Sequence, residues 1–472
     1  MLVLSVVLYL TALVLAALYL RHKKAGLFDP ASLFLAFFTL FTLPLPLRLC
    51  FTDEVPPDDF SAQIPLLAPY VPWAVLFCAA GLPFFLLAYY SPLAASIAKR
   101  IPVPQPPKLR RYWPFPAFSK TRAAAVLICG IAFLMLWKLG EGNLLNFILL
   151  GYNSTEAMIG KGYLAVGIPW LFVGSMFFLY RYANRRTRSD LWIFMALFAA
   201  QLLMMFILAA RHSILLFVLA LTVFWHFAIK RIRFKRLAAI GLLGFISLNL
   251  LGYMRGSDYK SLGDFIASTS QNSSNVAEKH SWFYTFTEGE FIVPFQTLPQ
   301  IIRKFGSHEV PCMWGLTYLE APVGFIPQAI LPSRPKALTN WYMDVYFGGG
   351  WLQNQGAAFF FLAEGYLNFG PIGVLLAMAF WGIMLGVLQN YRTLNQGNHG
   401  VVLLYTVTLA FILCECIASE SRAVLVGLLI NVLGITVIGL MIAGGFKRPA
   451  SVRPRSVLSE TGPPGAALAG AS

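Results

Sequence analysis

Apolar runs of about 20 residues, the length a helix needs to cross a bilayer, recur along the whole chain. They fall at 2–20, 31–51, 69–91, 122–139, 162–180, 191–210, 212–229, 237–252, 357–389, 400–419 and 423–444. Eleven such runs predict an all-α polytopic membrane protein with about 11 transmembrane helices, because inside lipid only helices and closed barrels satisfy every backbone polar group. Composition agrees. Of 472 residues 58% are hydrophobic and only 12% charged, about half the charge a soluble surface needs, and the mean hydropathy is +0.68. An ordinary cytosolic enzyme and a disordered chain are both excluded. The first run has no basic segment before it and no small-residue cleavage site, so it reads as a retained span and not a removed signal.

The net charge of +16 would suggest nucleic acid in a soluble protein. Here it follows the loops. One alternating set carries Arg21, Lys23 and Lys24, then seven basic residues between Lys99 and Arg122, Arg181 to Arg188, Lys230 to Arg236, Arg392, and Lys447 to Arg455. That set holds 24 of the 36 basic residues and three acids, Asp29, Asp190 and Glu460; the other set holds the remaining 12 basic and 17 acidic residues. The positive-inside rule places the first set in the cytoplasm, the N-terminus outside and the C-terminus inside, so the charge is a topology signal and no nucleic-acid partner is expected. The predicted organisation is eight spans over 1–252, a long extracytoplasmic loop over 253–356, three spans over 357–446 and a disordered cytoplasmic tail over 447–472. The proline-rich stretch 101–118 reads as a stiff connector. Neither a phosphate-cradling glycine loop nor a dinucleotide fingerprint is present. Five of the six cysteines, Cys50, Cys78, Cys129, Cys414 and Cys416, lie in apolar runs, so no disulfide or metal framework follows, and no metal or cofactor is expected.

Chemistry therefore has to come from the outer face. Arg211 and Arg422 each sit in a very tight connection, Ala210-Arg211-His212 and Ser419-Glu420-Ser421-Arg422, and Arg255 follows the eighth run. A boundary arginine can simply snorkel or pair with a neighbour such as Glu420. Three at one depth would instead suit a doubly charged anion such as pyrophosphate, whose oxygens match guanidinium forks. Glu364 lies about seven residues into the ninth run, roughly 10 Å below its start, and a carboxylate there is a functional candidate by default; the alternative is a structural ion pair with an outer arginine. Asn368 shares its helix face at i+4, Tyr366 lies between them, and Gly370-Pro371 should break the helix, leaving 357–369 as a re-entrant or interfacial piece. In the long loop His280, Glu288 and Glu290 form a second cluster of candidate bases, and Arg334 and Lys336 lie in a kinked cationic segment able to line a groove. The loop aromatics suit stacking on sugar rings or a place in the interfacial belt.

In this order and on this topology the chain resembles the oligosaccharide repeat-unit polymerases, the Wzy-type O-antigen polymerase family. The carriers are Arg211 within Ala210-Arg211-His212-Ser213, Arg255, the segment from Pro327 to Lys336 that includes Arg334, the stretch Ala363-Glu364-Gly365-Tyr366-Leu367-Asn368-Phe369-Gly370, and Ser421-Arg422. The resemblance implies an architecture similar to that of C-type glycosyltransferases and a place in the bacterial inner membrane. It also implies transfer of a glycan from undecaprenyl pyrophosphate onto a lipid-linked repeat unit at the outer leaflet, building O-antigen or a related surface polysaccharide. On that basis Arg211, Arg255 and Arg422 would hold pyrophosphate and Glu364 or His280 would take the acceptor proton. Arg334, Lys336, Glu288, Glu290, Tyr366 and Asn368 would line the substrate groove. Membrane lipid and a chain-length regulator would be partners. An O-antigen ligase, with the same donor and a different acceptor, is the nearest alternative. A polysaccharide exporter or flippase is the non-enzyme one, disfavoured because transporters gather polar residues near the bilayer midplane.

Overall fold

The computed structural model describes residues 1–51, 64–105, 119–144, 161–208, 210–233, 292–326, 330–347 and 358–447, with positions 148, 237, 241 and 244 between them. The chain is mostly helical. Among the described residues eight helices are long and apolar enough to cross a membrane, or nine if Pro30–Thr42 and Pro44–Phe51, bent by 40° at their junction, make one span. The run predicted at 400–419 is a helix of 17 residues, His399–Glu415, and the run at 237–252 lies largely outside the described residues. Helix starts follow local chemistry. Pro30 and Pro92 open helices at the position where a missing N–H costs nothing. Asp29, Ser91, Ser119 and Asn398 accept the first free amides.

The long helix Phe361–Leu394 packs along Val71–Tyr89, where Gly382 and Gly386 let the backbones meet. A Cβ at either glycine would overlap a carbonyl oxygen, that of Phe85 or that of Tyr89. A glycine at every fourth position is how membrane helices approach closely when no hydrophobic effect drives them together. Near the end of its first third this helix is broken. Phe369 and Gly370 leave helical geometry, Gly370 at φ +60° and ψ −146°, and Pro371 starts the next turn. Gly365 and Gly373 then face one another closely enough that a Cβ at Gly373 would overlap the Gly365 carbonyl. Eight residues of straight helix would separate them by about 12 Å. The break is thus a tight reversal, and 361–368 folds back on 371–394.

The described parts of 253–356 are helical elements packed into the bundle, more than a surface loop. Helix Val293–Gly306 buries every residue from Pro294 to Ile302. Thr297 accepts the Phe360 amide at 3.1 Å, and Tyr342 on helix Leu338–Phe347 donates to Gln300.

Contacts join loops that alternation assigned to one side. Tyr391 and Asn398 donate to the carbonyls of Pro102 and Pro104, and Val103–Pro104 pairs antiparallel with Phe446–Lys447. At the opposite end His212 lies 3.4 Å from Glu415. Some charges counted as loop charges are structural. Arg181 and Asp190 form a buried ion pair at 2.9 Å. Asp29, nearly buried, accepts from Tyr89 and Gln389, and Arg392 lies over the rings of Phe227 and Tyr405.

Candidate functional site

Glu364 occupies the first turn of its helix, preceded by an extended Phe360. The apolar run starts at 357 but the helix only at Phe361, so the seven residues counted to Glu364 are not seven residues of helix. The carboxylate is buried all the same, at 2% exposure, by tertiary packing. Its Oε1 accepts the hydroxyls of Thr317 (2.8 Å) and Ser421 (2.6 Å), and its Oε2 accepts the Ser421 amide (2.7 Å). Among the described residues no arginine side chain touches it, Arg422 included. Hydroxyl and amide dipoles replace a counter-ion, which suits a buried carboxylate.

Asn368, one turn on, braces the site. Its side-chain amide donates to Thr317 Oγ1 (2.7 Å) and to the Glu364 carbonyl (2.8 Å), and its Oδ1 accepts the Gly315 amide (2.9 Å). The backbone carbonyls of Leu367 and Asn368 accept the Met313 and Trp314 amides. Segment 312–317 is thereby strapped across the helix end that the reversal leaves open, supplying partners to carbonyls that a broken helix orphans.

Glu420 is the second buried carboxylate, at 3% exposure. Its Oε2 accepts the Thr339 amide at 3.1 Å, at the first turn of helix Leu338–Phe347, where free N–H groups favour an anion. Burial, with Glu364 close by, pushes its carboxyl up to about 7, against the lowering pull of the Thr339 and Leu338 amides and of Arg422. Arg422 makes no ion pair with Glu420 within 4 Å; its Nη1 donates to the Pro335 carbonyl at 2.8 Å, and its stem lies against Gly324.

Two cavities meet at Glu364. The apolar one, about 450 Å³, runs between the reversal and helix Ser421–Gly427. Its walls include Phe361, Leu376, Phe380, Trp381 and Leu425, with Glu364, Ser419 and Ser421 among its few polar groups. Leu376 and Phe380 are each 55% exposed, so this cavity lies next to the face the helices turn to lipid. The polar one, about 310 Å³, is lined by Glu320, Lys336, Glu364, Glu420 and Arg422 with Trp341 on one side.

Of the sequence candidates, Glu364, Arg422 and Lys336 come together around the polar cavity. Lys336 is exposed and ion-paired with Asp344 at 2.6 Å. Arg334 donates to the Ile326 carbonyl at 2.8 Å and lines neither cavity. Tyr366 also lines neither and instead packs its ring on Phe77 and Phe305; Asn368 acts as the brace described above. Arg211 begins helix Arg211–Phe224. The His212–Glu415 contact, continued by the Ser419 hydroxyl on Glu415, brings that helix start to the turn that carries Arg422. Arg255, His280, Glu288 and Glu290 lie outside the described residues. Among the described residues no group of three or more His, Cys, Asp or Glu is placed to hold a metal ion. Sequence reasoning missed Thr317 and Ser421 as ligands of Glu364, and Glu420 as more than a partner for Arg422. The one available signal was the density of polar residues in the 419–422 turn between two apolar runs. No family model, curated protein or solved structure matches the chain.

Proposed function

We propose that the protein is a glycosyltransferase of the bacterial inner membrane that joins undecaprenyl-pyrophosphate-linked oligosaccharide repeat units into O-antigen or a related surface polysaccharide. The observation that carries this reading is the shared wall at Glu364. An apolar cavity beside the lipid-facing surface meets a charged cavity at one buried carboxylate, which is the partition a lipid-linked sugar would need. The apolar side would take the first isoprene units. The polar side would take the headgroup, with Arg422 as a fork for phosphate oxygens and the carboxylates and Trp341 for sugar hydroxyls and ring faces. Negative charge builds on the diphosphate as the sugar leaves, and a guanidinium already in place stabilises it without reorganisation. The donor carries its own activation, so no nucleotide domain is required. The basic loops would face the cytoplasm and this end of the bundle the periplasm, with a chain-length regulator as a further partner.

The decisive experiment supplies a defined lipid-linked repeat unit to the purified protein in lipid nanodiscs and resolves the products by gel. A ladder of polymers is the expected result. In cells, deletion should leave lipopolysaccharide core carrying one repeat. Bare core would indicate a ligase instead, and unchanged polymer would refute both.

A further inference from the structure

We propose that Glu420 is the catalytic carboxylate of this site, taking the proton from the acceptor hydroxyl, and that Glu364 is a positioning residue that holds the 419–422 turn in place. This rests on the glycosyltransferase reading and assigns roles within it.

Both oxygens of Glu364 are occupied. Thr317 and the Ser421 hydroxyl donate to Oε1, and the Ser421 amide donates to Oε2, all at 2.6–2.8 Å. Three of the roughly four lone-pair sites of this carboxylate are thus filled, leaving one on Oε2 for any further donor. What it does hold is Ser421, by backbone and side chain together, and Ser421 stands between Glu420 and Arg422. Glu420 is the complementary case. It accepts the Thr339 amide at 3.1 Å, with the Leu338 amide beside it; among the described residues no side-chain donor is bonded to it, and it lines the polar cavity two residues from the arginine proposed to receive the leaving group. A carboxyl pushed up to about 7 by burial is matched to a proton transfer near neutral pH, where a general base works best.

The step balances. The acceptor O–H bond breaks as its oxygen bonds to the donor's anomeric carbon. The bond from that carbon to the diphosphate oxygen breaks with its electron pair, and the proton passes to Glu420, later returning to solvent or to the released diphosphate. Among the described residues the charged and titratable groups around Glu420 are Glu364 from the broken helix, Glu320 from helix Leu316–Glu320, Arg422 from its own turn, and Lys336 from the segment opposite. Glu415, held by His212 and Ser419, lies behind it on the preceding helix.

The test measures polymerisation of a lipid-linked repeat unit by the full-length protein in nanodiscs, as kcat and KM from pH 5.5 to 8.5. E420Q should lower kcat by about 100-fold or more, the range of a lost general base, with KM changed little; a smaller loss overturns the assignment. In the wild type kcat should rise with pH through a midpoint near 7, and a flat profile overturns it even where E420Q fails to fold. E364Q should lose thermal stability and rate yet keep that rising limb, and loss of the limb in E364Q moves the base to Glu364. E420D, with its carboxylate one methylene short, should recover part of the rate. Wild-type protein that makes no ladder refutes the polymerase reading and this assignment with it, whereas a wild-type ladder with an unaffected E420Q refutes the assignment alone.

Discussion

Gly365→Ala tests the reversal that places Glu364. A Cβ built at Gly365 would stand 2.5 Å from the Gly373 carbonyl oxygen, 2.9 Å from its carbon and 3.2 Å from the Ala377 Cβ. Ordinary contact begins at 3.4 Å, so the two arms must separate by about 1 Å, and the main obstacle is a backbone carbonyl with no rotamer to change. Overpacking of this kind costs about 1–3 kcal/mol, and the upper end is expected here. Glu364 is the adjacent residue, so its carboxylate shifts by a similar distance against hydrogen bonds of 2.6–2.8 Å, beyond the range where they hold. A displacement of that size in a positioned group costs on the order of 100-fold in rate. The assay pairs thermal denaturation in detergent, where a fall of several degrees is expected, with the polymer ladder, which should shorten or vanish. Gly130→Ala is the control, because nothing lies within 4 Å of a Cβ there, and replacing a mid-helix glycine should be neutral or stabilising. If Gly365→Ala melts and polymerises like the wild type, the reversal is not packed as described.

Three further outcomes follow from the same geometry. Glu420 has a folded-state carboxyl pushed up to about 7 from 4.5, so the folded state holds its proton more tightly than the unfolded chain. Its stability contribution is complete below about 4.5 and is lost as pH climbs through about 7. Wild-type melting temperature should therefore fall between pH 5 and 8 more steeply than that of Glu420→Gln, and parallel slopes would contradict the burial. Arg181→Ala leaves Asp190, 0% exposed, without its cation and should destabilise by about 3–5 kcal/mol, while Arg181→Leu with Asp190→Leu should restore most of it. Denaturation of the three variants in detergent decides this. Arg422→Lys keeps the charge but loses the planar fork. It should reduce polymer yield at least tenfold with protein level unchanged in membranes, and normal chain lengths would remove Arg422 from the diphosphate role.

The apolar runs and the break at Gly370-Pro371 were legible because both are local properties. A run of hydrophobic residues has one inexpensive environment, and proline after glycine ends a helix whatever surrounds it. The candidacy of Glu364 and Arg422 was legible too, as charges where charges are costly. Their partners were not. Thr317 and Ser421 lie 47 and 57 residues from Glu364 along the chain, and nothing in their local sequence marks them. Arg181 and Asp190 show the same limit from the other side, looking like ordinary loop charges until two helices close over them.

Residue chemistry read along the chain was enough to mark it as a multi-pass helical membrane protein and to pick out charges in costly places. Tertiary packing alone makes one helix double back at Gly370, buries Glu420 beside Ser421, a partner of the buried Glu364, and gives a lipid-side cavity and a charged cavity a common wall. Hydropathy is summed residue by residue and survives in any arrangement of the chain. A hydrogen bond or a cavity exists only where distant segments close to within a few ångströms, and that closure depends on side chains such as Thr317, Asn368 and Ser421 whose roles no local pattern announces.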